Sequence, residues 1–130
     1  MMTDTYMFLI REPDWNSDAY LPGAEPVAGA DPEATFGAHK AFQAAVTELG
    51  ARIVNGDALQ SAKYGGVVTP GQGDRAVEDA VYTDSPYADS SELITGFYAV
   101  EVEDEAMART VAALVPTGGT IEWRKVFPIG

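Results

Sequence analysis

Residues 98–111 read Tyr98-Ala99-Val100-Glu101-Val102-Glu103-Asp104-Glu105-Ala106-Met107-Ala108-Arg109-Thr110-Val111, and their hydrophobic period changes in mid-course. From Ile94 to Val102 apolar and polar residues alternate, with Tyr98, Val100 and Val102 on one face, as in a half-buried strand. From about Asp104 the spacing lengthens to helical. Met107, Val111 and Leu114 then fall on one side before Pro116 stops the run. The carboxylates at this junction, Glu101, Glu103, Asp104 and Glu105, suit the positive end of a helix dipole better than a cation site. Gly118-Gly119 leads to a last strand over Thr120–Phe127, where Ile121 and Trp123 alternate against Glu122 and Arg124. Residues 94–127 therefore form one strand-helix-strand unit.

A second unit precedes it. Thr5–Ile10 is a strand, apolar at nearly every position and so expected to be covered on both faces or at an interface. Asp31-Pro32-Glu33 starts a helix: Asp31 can accept orphan amide hydrogen bonds, Pro32 suits the first turn, and Glu33 faces the dipole. The helix is predicted to reach Leu49, stop at Gly50, and carry an apolar stripe of Phe36, Phe42, Val46 and Leu49. Arg52–Leu59 reads as the next strand. Lys63–Thr69 and Ala76–Thr83 read as hairpin arms around the turn-rich Pro70-Gly71-Gln72-Gly73-Asp74. Two strand-helix-strand units joined by a hairpin predict an α+β, ferredoxin-like antiparallel sheet with both helices on one face. The other face would expose Tyr, Phe, Met and Trp unless a second subunit covers it, so a homodimer is expected.

At 130 residues the chain is expected to be a single domain over 1–130, since a split would leave pieces too small for separate cores. Its long loop, 11–30, contains Pro13, Trp15, Pro22, Gly23 and Pro26 without periodicity, and is either a lid or a surface insertion. The net charge of -12 with scattered basic residues argues against nucleic acid. No stretch approaches the roughly 20 apolar residues of a membrane helix. Nor does the opening Met1-Met2-Thr3-Asp4-Thr5 resemble a signal peptide. With no cysteine to form a disulfide, the expectation is a cytoplasmic protein.

His39 is the sole histidine. It lies three residues after Phe36 and three before Phe42, so it points toward the sheet. There it is either a core histidine satisfied by a backbone carbonyl or a proton carrier working near neutral pH. Asp84 begins a polar bend, Asp84-Ser85-Pro86-Tyr87-Ala88-Asp89-Ser90-Ser91-Glu92, where an aspartate either closes an Asx turn or serves a site. Arg11 is either a guanidinium for a substrate carboxylate or a surface ion-pair partner. Tyr87 lines a cleft or packs in the core, and Glu92 orients a partner or caps the next strand. One histidine and no cysteine exclude the usual zinc sites, and Gly71-Gln72-Gly73 lacks the context of a dinucleotide fingerprint. No metal or organic cofactor is expected.

The bend resembles the signature of the DGPF branch of the YCII-related family, Asp-Gly-Pro-Phe-Ala-Glu-Thr-Lys-Glu followed by a strand with Gly-Phe. Asp84, Pro86, Ala88 and Glu92 match, and Gly96-Phe97 follows in place. The likeness extends to the Tyr6–Ile10 strand, the helix with His39, the Gly56–Leu59 segment, and the closing strand with Glu122 and Arg124. Ser85, Tyr87, Asp89 and Ser91 depart from the pattern, and the loop over 11–30 is longer than usual. The resemblance implies a dimeric ferredoxin-like α+β barrel with a cleft between helix and sheet, and a histidine–aspartate active-site pair falling on His39 and Asp84. The expected activity is cofactor-independent proton transfer on a small molecule, of lyase or isomerase type. The alternative is a non-catalytic dimeric module that binds a ligand or another protein.

Overall fold

The computed structural model describes residues 3–12, 31–60, 64–83 and 93–128. Six strands and two helices follow in the order β1 (Asp4–Glu12), α1 (Pro32–Glu48), β2 (Arg52–Ala58), β3 (Val67–Thr69), β4 (Val81–Thr83), β5 (Leu93–Val102), α2 (Glu105–Leu114) and β6 (Thr120–Lys125). β2, β5, β1 and β6 lie in that order in one sheet, every neighbouring pair antiparallel. The chain is α+β, with an order compatible with a ferredoxin-like arrangement. Among the described residues β3 and β4 pair only with each other.

The local signals explain the element ends. Asp31 caps α1 by accepting from the Ala34 amide at 3.1 Å, and Asp104 caps α2 through the Met107 amide at 2.8 Å. Gly50 follows α1 with φ 85°, a conformation that costs a residue with a Cβ.

Strand alternation then sorts residues to two faces. Tyr6, Phe8 and Ile10 of β1 and Val100 and Val102 of β5 turn inward, where they meet Phe42 and Val46 of α1 and Ala108 and Val111 of α2. Phe8, Val46, Val100, Val102 and Val111 are fully buried, each burial contributing roughly 1.5–3 kcal/mol.

Several expectations need correction. The α1 stripe is narrower than its spacing suggested: Phe42 and Val46 are buried, whereas Phe36 and Leu49 are exposed. In α2 the buried positions are Ala108 and Val111, followed by Val115, while Leu114 is exposed. The small Ala108 lets this helix lie close to the sheet. Trp123 and Tyr6 are not on the bare face. Their rings pack 6.0 Å apart against the core, and Arg109 of α2 lies 5.4 Å over the indole. The outer face instead carries Met7, Leu9, Phe97 and Ala99, with ion pairs Arg11–Glu122, Arg124–Glu122 and Arg52–Glu101 around them.

The second hairpin arm is shorter than expected because turns over 76–79, continuing a 3-10 turn at Gly73–Arg75, occupy its start. The Arg75–Asp79 ion pair, 2.9 Å at its closer contact, closes that turn. β1 runs on to Glu12, so Arg11 and Glu12 belong to a strand and not to the loop over 11–30. Residues 13–30 of that loop lie outside the described residues. No described helix is long and apolar enough to cross a membrane.

Candidate functional site

Two irregularities in the sheet create the site. β5 carries an extra residue, Thr95, where its pairing with β1 shifts between Ile10 and Arg11. β2 carries an extra residue, Val54, where its register against β5 shifts. Such bulges bend a strand and re-aim its side chains. Beyond them, the first half of α1 overhangs the sheet without packing on it, leaving a cleft of about 420 Å³. Its roof includes Thr35, Phe36, His39 and Gln43, its floor Gly56–Gln60 and Thr95–Tyr98, and one end Ile10, Glu12 and Pro116. The size is within the ordinary range for small-molecule sites.

Gly56 keeps the floor low. It lies opposite Tyr98 across the ladder, and a Cβ added there would come 2.6 Å from the Tyr98 ring. The ring occupies that space, 4.8 Å from the Phe42 ring, and extends its hydroxyl to 2.7 Å from His39 Nδ1. Gln43, one helical turn beyond His39, lines the same cleft and acts on the phenol in the sense that favours its ionised form. The phenol can give its single hydrogen to Nδ1, with the imidazole hydrogen on Nε2, or accept from Nδ1–H, which leaves Nε2 as a base.

Burial acts on both rings. It lowers the His39 pKa below the usual 6.5, against the opposing pull of the Glu12 carboxylate. It raises the Tyr98 pKa above the usual 10.0, against the opposing effect of Gln43. At neutral pH the pair is therefore uncharged imidazole and protonated phenol. Glu12 is held from the loop after α2: the Gly119 amide donates to the Thr117 hydroxyl at 3.0 Å, and that hydroxyl donates to Glu12 Oε1 at 2.7 Å. An apolar cleft with a neutral histidine and a fixed carboxylate can bind a small molecule, donate a hydrogen bond or proton to it, and receive a proton in return.

No protein-family model and no curated protein matches this chain.

The residues singled out in the sequence separate in space. His39 lines the cleft. Arg11 does not: it lies on the outer face, its Nε 3.2 Å from Glu122 Oε1. Asp84, Tyr87 and Glu92 lie outside the described residues. Among the described residues no three His, Asp or Glu side chains gather as metal ligands would. Sequence reasoning missed Tyr98, Gln43, Glu12 and Thr117. Gln43 was within reach, being four residues beyond His39 on the same helical face. Tyr98 carried a weaker signal: a phenol on an inward strand face needs a hydrogen-bond partner.

Proposed function

We propose that the cleft beneath α1 is a small-molecule active site in which His39 moves a proton without a metal or organic cofactor, in an isomerase- or lyase-type step. The observation that carries this reading is the 2.7 Å bond between His39 Nδ1 and the Tyr98 hydroxyl at the edge of the cleft. The phenol oxygen can accept from Nδ1–H both in the neutral ring, whose Nε2 is then open to take a proton, and in the ring protonated at Nε2. It therefore holds the imidazole in one orientation through a complete protonation cycle. Tyr98 takes the positioning role, and the YCII-related resemblance implies Asp84 as the catalytic partner of His39, with Tyr87 and Glu92 as substrate-binding candidates. The family reading rests on the bend at 84–92 with Gly96-Phe97. It also brings the dimeric barrel, in which a second copy covers Met7, Leu9, Phe97 and Ala99; a monomeric mass by light scattering at micromolar concentration would remove that part.

The test is solvent isotope exchange. Small carbonyl compounds incubated with the protein in deuterated water are followed by NMR for exchange next to the carbonyl. Exchange is expected with the native chain and lost in His39→Gln that retains its circular dichroism spectrum. Full exchange by His39→Gln ends the proposal. A second reading, a ligand-binding module without chemistry, is favoured by the Nε2–H tautomer, which is a donor and not a base. It predicts ligand-induced shifts of the His39 ring signals with no exchange of the ligand, and no change on Asp84→Asn.

A further inference from the structure

The cleft holds a second chemical clue, the sign of its charge. Glu12 brings a half-buried carboxylate to one end, and among the described residues its side-chain partner is the neutral Thr117. A carboxylate removed from water ordinarily has a cation beside it. Arg11, the adjacent residue in sequence, faces the other side of the sheet and pairs with Glu122 at 3.1 Å.

The remaining basic residues are engaged elsewhere or stand away. Arg52, Arg75, Arg124 and Lys125 pair with Glu101, Asp79, Glu122 and Asp4 respectively, Arg109 covers Trp123, and Lys40 does not line the cleft. Lys63 is outside the described residues. The Phe36 and Tyr98 rings border the same cleft, and aromatic rings attract cations. The field of Glu12 already favours positive charge at His39.

We infer that the cleft selects an amine: a small, largely apolar molecule whose ammonium group is received by Glu12 while its body lies between Phe36 and Tyr98. This rests on the small-molecule reading of the same cleft and narrows it. Carboxylates and phosphates are excluded as ligands by Glu12 and by the lack of a lining cation among the described residues.

Three probes of similar size separate the possibilities: 2-phenylethylammonium, 2-phenylethanol and 3-phenylpropanoate, each titrated near pH 7.5 into the native chain. The ring signals of His39 report binding without ambiguity, because no other histidine exists. The expected order is ammonium, then alcohol, then carboxylate, with at least about a ten-fold difference in Kd between the charged probes. Glu12→Gln should bring the ammonium down to the alcohol and leave the alcohol within about two-fold of its native Kd. If the carboxylate or the alcohol binds as tightly as the ammonium, the amine inference is overturned while the small-molecule site stands. If no probe moves the His39 signals, both fall. The native-chain series needs no variant, so it decides the question even where Glu12→Gln fails to fold.

Discussion

Replacing Gly56 by alanine places one methyl group where the fold and the site depend on the same atoms. The added Cβ would lie 2.6 Å from Tyr98 Cδ1, 3.1 Å from Cε1 and 3.0 Å from the Phe97 carbonyl oxygen. Ordinary carbon contacts are about 3.5–4.0 Å, so the ring must yield by roughly 1 Å. The carbonyl belongs to the ladder opposite β2 and is less free to move. Overpacking of this kind costs about 1–3 kcal/mol. Gly56 does not have a positive φ, so alanine also gains about 0.4–1 kcal/mol by restricting the unfolded chain. The net expectation is a loss of about 1–2 kcal/mol.

With an unfolding entropy of about 2.1 cal/mol/K per residue over 130 residues, each kcal/mol corresponds to about 4 °C, so Tm should fall by about 4–8 °C. The same displacement withdraws the phenol from His39, and the histidine ring signals should shift. Urea and thermal denaturation read the first effect and NMR the second. In a Tyr98→Leu background the ring obstruction is gone and only the Phe97 carbonyl contact remains, so the alanine should cost clearly less. Equal loss in both backgrounds, or native stability with unchanged His39 signals, would refute the proposed contact.

Tyr98→Phe keeps the ring against Phe42 and removes only the hydroxyl; about 1 kcal/mol, or about 4 °C, should be lost, with no loss indicating that the bond to His39 does not form in solution. The pH dependence follows from the lowered His39 pKa. The unfolded chain binds the proton more readily than the folded one, so this contribution to stability is whole above pH 6.5. It is lost as pH falls through the folded value. The urea midpoint of the native chain should therefore drop across that window relative to His39→Gln, and parallel profiles would contradict the assignment. Phe8→Ala empties a site with no solvent exposure and should cost about 3–5 kcal/mol by urea denaturation. Asp31→Ala removes the cap of the helix that carries His39 and should cost about 1 kcal/mol by the same assay.

Much of the fold could be read from local chemistry. Asp31 and Gly50 mark their helix ends because capping and left-handed backbone are properties of one or two residues. The inward set Tyr98, Val100 and Val102 follows from alternation alone. Local patterns mislead about faces where a long-range choice decides them: Phe36 is apolar and helical in spacing, yet it overhangs a cleft created by bulges in strands β2 and β5. Trp123 alternates correctly, but only the register against β1 shows that it faces the helices. For the site, the position of His39 against the sheet was legible. Its bond to Tyr98, 59 residues away, depends on how α1 crosses β5, which no local pattern encodes.

The placement of β1 between β5 and β6 has a consequence for how the protein is made. Tyr6 pairs with Val100 on one side and Lys125 on the other, so during synthesis this strand finds its neighbours only after more than a hundred further residues have followed it. Until then a ribbon containing Met7, Phe8, Leu9 and Ile10 stands without partners, the segment a holding chaperone would grip and the seed from which premature aggregation would start.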